Sequence, residues 1–270
     1  MWILLLCSVA LPMVLILAWE RFVIATSPPA RLFYRTTGLV GAPVHELAHV
    51  IACLLFRMPI SKVVLYQPGA AGGRLGYVAF LYNPRSGLHA AGRMIQGVAP
   101  LLAGACIARY ALQVDVVTPG ADATSLTILS TLANSASSTL DGLITLATSG
   151  AWGGLQAVLL LAVCIHAIPS RSDVQIGIGG LLWLSVFLAA LGVLLALLGA
   201  DVAGLAVVRN TLVAVNFALW QLSIGIVTVA TVSIIGTGGL IVLPNAVWAL
   251  LRRERAGSIV EVEPGRKDVA

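Results

Sequence analysis

Long apolar runs separated by short polar connections dominate the chain. Several of them reach about 18 mostly apolar residues, the length that crosses the hydrocarbon core of a membrane. Six such runs lie near residues 2–19, 36–56, 94–111, 153–169, 176–200 and 212–243. The pattern predicts an all-α polytopic membrane protein with about six transmembrane helices. The last run is long enough to be tilted or broken, and Gly236, Gly238 and Gly239 favour a break.

Three other segments carry patterns of their own. Residues 58–82 have β-branched and aromatic residues around a glycine-rich turn, which predicts a small membrane-associated β-hairpin. Segment 120–150, rich in Ser, Thr, Ala and Leu, indicates an amphipathic helix on the outer surface. Residues 1–22 lack both a basic leader and a clear cleavage site, so a retained first span is favoured over a signal peptide.

The composition agrees with a membrane protein and argues against a disulfide-rich, cysteine-zinc or nucleic-acid-binding protein. The chain is 59% hydrophobic and 10% charged, whereas soluble domains are roughly half apolar and a quarter charged. Its four cysteines lie in apolar runs without a CxxC pair, so neither a disulfide framework nor a cysteine zinc site is expected. The net charge of +5 comes from basic residues beside the spans, and no nucleic-acid function is predicted.

Basic residues are distributed unevenly between the connections. They cluster between the second and third runs and at the start of the C-terminal tail: Arg57, Lys62, Arg74, Arg85, Arg93, Arg252, Arg253 and Arg255. The connection 112–152 instead holds Asp115, Asp122 and Asp141 and no basic residue. The positive-inside rule then places both termini in the cytoplasm, and a bacterial plasma membrane is the predicted location. Arg21, Arg31 and Arg35, in the first outer loop, run against this distribution.

Polar residues inside the second run are the strongest candidates for chemistry. The stretch GAPVHELAHVIACLL holds His45, Glu46 and His49 in an H-E-x-x-H pattern. Residues four apart share one face of a helix, so both imidazoles can bind one metal while Glu46 acts on a bound water. The pattern can also arise by chance, or from polar contacts within a helix bundle. Because ionisable residues in a membrane span are costly and mark functional sites, one zinc ion per chain is predicted.

A catalytic zinc needs a third protein ligand, and three aspartates are candidates. Asp173 is favoured, because it follows the fourth run on the cytoplasmic side, toward which the helix of His49 descends. Its approach requires residues 169–173 to dip back into the bundle. Asp141 is the alternative ligand, although it and Asp201 are expected on the opposite side. An ordinary loop aspartate beside Arg171 is the other reading of Asp173.

This order of features resembles the site-2 protease family of intramembrane zinc metalloproteases. In that family an H-E-x-x-H helix precedes a membrane-associated hairpin, a core helix, and a helix with Asn-x-x-Pro before a ligand aspartate in Asp-Gly. Here the pattern is followed by hairpin 58–82, by GVAPLLAG, and by His166-Ala167-Ile168-Pro169 before Asp173. His166 replaces the asparagine, Asp173 comes one residue early and no glycine follows it, so the chain resembles a divergent member.

The resemblance implies a site and a domain plan. It implies zinc held by His45, His49 and Asp173, with Glu46 as general base and His166 as a candidate catalytic residue or a helix-end histidine bonded to the backbone. The whole chain, 1–270, is expected to form one membrane domain: first span and outer loop 1–35, metalloprotease-like core 36–180, accessory spans 181–251 and cytoplasmic tail 252–270.

The implied activity is hydrolysis of peptide bonds in membrane-embedded or juxtamembrane segments of another protein within the lipid bilayer. An exposed edge of hairpin 58–82 is expected to pair with that segment by strand addition. Two alternatives stay open: an inactive membrane scaffold or receptor with the same fold, and a metal-dependent transporter. A general base is needed only for chemistry, so Glu46 distinguishes the protease from both.

Overall fold

The chain is described by a computed structural model over residues 14, 28–69, 74–114, 124–197 and 206–257. The predicted first span 2–19 lies outside these residues except for position 14, and so do Asp115, Asp122, Asp201 and the tail beyond 257. The elements, in chain order, are α1 (Pro28–Leu55), β1 (Ile60–Val64), β2 (Tyr77–Phe80), α2 (Gly87–Gln96), α3 (Ala99–Leu112), α4 (Ser125–Thr148), α5 (Ala151–His166), α6 (Arg171–Leu197), α7 (Ala206–Thr237), a π-helical turn (Gly238–Val242) and α8 (Leu243–Gly257).

Between two and four candidate membrane spans occur in the described part of the chain. Arg31–Leu55 of α1 and Trp220–Thr237 of α7 are each long and apolar enough to cross a membrane. Two bent pairs qualify if each is counted as one span: α2 with α3, bent by 55°, and α5 with the first part of α6, bent by 61°. The helical fold class and the small sheet are therefore confirmed, whereas six spans are not.

The bends explain part of the difference in span number, and the predicted run 2–19 lies outside the described residues. The predicted run 94–111 begins inside α2 and is interrupted by a break before α3. The runs 153–169 and 176–200 correspond to α5 and α6, which form one bent pair. The predicted break near Gly238 is a change from α- to π-helical geometry rather than an interruption of the helix.

Helix α1 ends in a Schellman-type turn that leads directly into the hairpin. Arg57 has a left-handed φ of 54°, and its N–H donates to the carbonyl of Leu54 while that of Met58 donates to Cys53. These bonds satisfy carbonyls that the end of a helix otherwise leaves free. Met58 is buried under the turn, which fixes the direction in which β1 leaves the helix.

The predicted hairpin is confirmed. Strands β1 and β2 pair antiparallel, with Val63 opposite Val78 and Val64 opposite Tyr77, and an irregularity lies between Ile60 and Lys62. The β-branched residues of both strands suit this pleated, half-buried surface. The hairpin spans residues 60–80, within the predicted range 58–82.

Within segment 120–150, helix α4 begins at Ser125 and packs on α7. The predicted helix is confirmed, and its place on the outer surface stays a prediction. Ile128 contacts Trp220 and Ile224 in one buried cluster, and the Thr139 hydroxyl lies 3.5 Å from that of Thr228. Helix α4 is not among the candidate spans of the described residues.

The core joins α3, α5 and α7 through many small side chains. Its buried members include Ala105, Ala108, Cys164, Ala167 and Val229. Small residues let helices approach closely where lipid offers no hydrophobic driving force between them. The C-terminal end of α5 belongs to this core through Cys164, and its other side contacts α1.

Gly41 marks the closest approach of α1 and α5. A Cβ atom at this position would lie 2.5 Å from the carbonyl oxygen of Ala162 and equally close to the ring of His166. Only glycine allows the two backbones this contact. The contact places the end of α5 one turn from His45.

Candidate metal centre

The two histidines of α1 and Asp173 of α6 converge on one point. His45 Nε2 lies 3.2 Å from His49 Nε2 and 3.6 Å from Asp173 Oδ2. His49 Nε2 lies 3.4 Å from Asp173 Oδ1. These three side chains form a group within metal-binding distance.

The donor set fits a divalent metal ion. Imidazole nitrogen and carboxylate oxygen are ligands that zinc accepts, with bonds of about 2.0–2.2 Å in tetrahedral geometry. Such bonds place ligand atoms about 3.3–3.6 Å from one another, close to the separations within this group. Two histidines and one carboxylate also leave a fourth position free for water or a substrate oxygen.

His45 is oriented by the backbone at the end of α5. Its Nδ1 lies 2.6 Å from the carbonyl oxygen of His166 and donates a hydrogen bond to it. Because the proton then sits on Nδ1, Nε2 keeps its lone pair for a metal. A backbone carbonyl is a usual partner for the second ring nitrogen of a metal-binding histidine.

Asp173 belongs to a capping box at the start of α6. The backbone N–H of Ser170 donates to Asp173 Oδ2 at 2.7 Å, and the Ser170 hydroxyl accepts from the Asp173 N–H at 3.3 Å. This reciprocal pairing is a standard way to begin a helix. The structure thus brings Asp173 to the histidines as predicted, and it does so from the first turn of α6.

The remaining predicted acids fall elsewhere. Asp141, the alternative ligand, is exposed on α4 and is not part of the group. Asp201 lies outside the described residues. Asp173 itself is only 9% exposed, so the reading as an ordinary loop aspartate does not hold.

Glu46 is buried beside the ligands, with 6% of its surface exposed. It lines a cavity of about 450 Å³ that also contains His45, His49 and Asp173. The opposite wall comes from the hairpin and its approach, through Arg74, Leu75, Gly76, Tyr77, Val78 and Phe80. A carboxylate in this cavity can act on water or substrate next to the three ligand atoms.

His166 contributes to the site mainly through its backbone. Its ring Nε2 is hydrogen-bonded to the Thr37 hydroxyl at 3.1 Å, and the ring lies 4.7 Å from that of Tyr34. These contacts anchor the ring on the first half of α1. The carbonyl, by contrast, reaches His45 directly.

Sequence patterns did not identify Gln96, which also lines the cavity. The residue is 2% exposed and ends α2 immediately before the bend. A polar amide inside the apolar run 94–111 was the available signal. Its neighbour Gly97 packs against α6 so closely that a Cβ there would lie 2.7 Å from the Asp173 carbonyl oxygen.

No family model, no curated protein and no solved structure matches the chain. The function is therefore inferred from the residues of the site and from their surroundings in the fold.

Proposed function

We propose that this chain is an intramembrane zinc metalloprotease, similar to the site-2 protease family, with one zinc ion per chain. It hydrolyses peptide bonds in membrane-embedded or juxtamembrane segments of other proteins. The observation that carries the proposal is the convergence of His45, His49 and Asp173 beside the buried carboxylate of Glu46. A site that only stores a metal does not require such a carboxylate, whereas hydrolysis requires a general base.

The lipid-facing surface of α1 supports a site within the membrane. Leu47, Ile51 and Leu54 lie on one face of the helix and are 45%, 56% and 66% exposed. A continuous apolar face of this kind favours lipid over water. The same helix carries the ligands, so we place the chemistry at membrane depth, in a bacterial plasma membrane with both termini cytoplasmic.

In this proposal, the residues of the chain have separate roles in hydrolysis. Zinc, when bound, supplies Lewis acidity toward the scissile carbonyl and makes water more acidic. Glu46 accepts a proton from the attacking water as its oxygen bonds to the carbonyl carbon, and donates that proton to the leaving amine as the C–N bond breaks. The carbonyl of His166 keeps His45 in the tautomer that binds through Nε2.

The hairpin is suited to hold the substrate. Strand β2 lines the cavity through Tyr77, Val78 and Phe80. Among the residues that the structure describes, β2 pairs with β1 along one edge and with no strand along the other. An unwound substrate segment can add to its other edge, where main-chain hydrogen bonds fix the peptide regardless of side chains.

The decisive experiment compares the wild-type protein with Glu46→Gln, purified in detergent and returned to liposomes. Wild type is expected to hold one zinc and to cleave a model transmembrane substrate. Glu46→Gln is expected to keep the zinc and lose at least ~100-fold in cleavage rate, the usual contribution of a general base. Metal content is measured by mass spectrometry and cleavage by gel.

Asp141→Asn is the matched control, because it makes the same chemical change on the exposed surface of α4. It is expected to leave both readouts unchanged. Unchanged cleavage by Glu46→Gln rejects the mechanism. Zinc binding without cleavage by wild type points to a scaffold or receptor, and zinc flux into vesicles points to a transporter.

A further inference from the structure

Two buried polar atoms on neighbouring helices have no hydrogen-bond partner among the described residues. One is Nδ1 of His49 on α1, and the other is Oε1 of Gln96 at the end of α2. Leaving a buried polar atom unpaired is unfavourable, because the atom has lost its hydrogen bonds to water without gaining others. Each such atom therefore requires an explanation.

The two atoms are chemically complementary once Nε2 of His49 binds a metal. A neutral imidazole that coordinates through Nε2 carries its proton on Nδ1, which then becomes a donor. The Oε1 atom of Gln96 is an acceptor. Each atom therefore supplies what the other lacks.

The fold brings the two side chains to the same place. Both line the 450 Å³ cavity, and both are almost fully buried. Ala48 and Ala52 of α1 pack against Ala99, with Ile95 at the edge of the same cluster. These contacts join α1 to the α2–α3 bend on either side of Gln96.

A contact of the Gln96 amide points the same way. The carboxamide interacts with the thiol of Cys53. Cys53 lies four residues after His49 and therefore on the same face of α1. The Gln96 side chain thus runs along the face of α1 that carries the His49 ring.

We infer that Gln96 is a positioning residue for the metal ligand His49. Its Oε1 accepts the hydrogen bond from His49 Nδ1, directly or through one water, when Nε2 binds the ion. The inference rests on the proposed metal site and is independent of proteolysis. It gives His49 the kind of support that the His166 carbonyl gives His45, as is usual for metal-binding histidines.

The test measures zinc affinity by competition with a chelator for three variants in detergent. Gln96→Met keeps the length of the side chain but removes the acceptor, and is expected to weaken zinc binding about 10–100-fold. Gln96→Glu keeps an acceptor and is expected to bind zinc at least as tightly as wild type. Ser135→Ala, a buried hydroxyl on α4 remote from the site, is expected to leave affinity unchanged.

Nuclear magnetic resonance of ¹⁵N-labelled histidine supplies a second readout. In zinc-loaded wild type and Gln96→Glu, a hydrogen-bonded Nδ1–H signal is expected for His49. In Gln96→Met, this signal is expected to shift upfield and to exchange faster with water.

Three results overturn the inference. The first is a Gln96→Met protein with wild-type zinc affinity and an unchanged His49 signal. The second is a loss of tenfold or more in zinc affinity in Gln96→Glu, the variant that retains an acceptor. The third is a wild-type protein that binds no zinc, which also removes the proposed function, whereas the first two leave that function intact.

Discussion

Two of the three ligand side chains, His45 and Asp173, are each held by a hydrogen bond to a neighbouring backbone group. His45 uses Nδ1 toward the backbone of His166. Asp173 uses Oδ2 toward the N–H of Ser170, and leaves Oδ1 facing His49. Such outer contacts limit the rotation of the ligands and keep their free electron pairs directed at one point.

Asp173→Asn is expected to weaken zinc binding by more than the about 10–100-fold that loss of an outer partner causes, because it removes a charged ligand. Ser170→Ala removes only the cap and is expected to cost about 1 kcal/mol of stability, with a smaller effect on affinity. Chelator competition and thermal unfolding separate the two effects. Zinc loss in Asp141→Asn, with zinc retained by Asp173→Asn, contradicts this assignment of the third ligand.

His166→Gln tests whether the imidazole itself takes part in chemistry. The backbone carbonyl that orients His45 survives this substitution, so zinc affinity is expected to stay within about tenfold and cleavage to persist. Thr37→Val removes the same ring contact from the other side and is expected to behave alike. A cleavage loss of about 100-fold or more in His166→Gln, with zinc retained, instead assigns the ring a role in proton transfer.

At the scale of helices and strands, the junction of α1 with α5 determines whether the site forms. Gly41→Ala forces a Cβ into the backbone of Ala162, and overpacking of this kind costs about 1–3 kcal/mol. Thermal unfolding in one detergent is expected to show the loss, together with weaker zinc binding, because the His166 carbonyl moves away from His45.

Gly154→Ala is the matched control within α5. The nearest atom to the added Cβ is the Ala147 carbonyl oxygen at 3.6 Å, an ordinary contact. Because alanine favours a helix over glycine by about 0.5–1 kcal/mol, this variant is expected to be neutral or slightly more stable. Equal destabilisation by both substitutions argues against a special junction at Gly41.

The elements that follow from local pattern were predictable, and their bends were not. The spacing of His45 and His49 indicates one helical face, and the glycine-rich turn between β-branched runs indicates the hairpin. The bend after Gln96 depends on Gly97 packing against Gly177 of α6. Hydrophobic periodicity reflects local structure and does not depend on such a tertiary contact. One bent pair of helices and two separate spans therefore give the same sequence pattern.

The same limit applies to the site. Asp173 was predicted as a ligand from its place in the chain, but the capping box that orients it depends on where α6 begins. Gln96 was not predicted as a site residue, because a single amide in an apolar run forms no spaced motif with other polar residues. Its significance depends on burial and on an unpaired neighbour, which only the folded chain reveals.

At the scale of the whole molecule, the two ends of α5 are expected on opposite sides of the membrane. The helix has 16 residues, which corresponds to about 24 Å at 1.5 Å per residue. Single cysteines are introduced as Pro84→Cys, in the loop after the hairpin, and Ser149→Cys, before α5. The background replaces Cys7, Cys53, Cys106 and Cys164 with alanine.

An impermeant maleimide is expected to label Ser149→Cys in intact cells and Pro84→Cys only in inverted vesicles. Both positions are exposed, and both are expected to react after solubilisation, which controls for access. Labelling of both from the same side contradicts the proposed crossing by α5 and the orientation of the hairpin.

The capping box at Ser170 has a consequence for the binding and release of the metal ion. The Asp173 carboxylate is already immobilised by its hydrogen bond to the backbone. A flexible ligand side chain loses conformational entropy when it binds a metal, whereas Asp173 has lost that entropy during folding. In contrast to zinc fingers, which unfold without their ion, stripped protein is expected to retain its circular dichroism spectrum. Its reloading rate is expected to rise linearly with zinc concentration, without the plateau that a preceding rearrangement imposes.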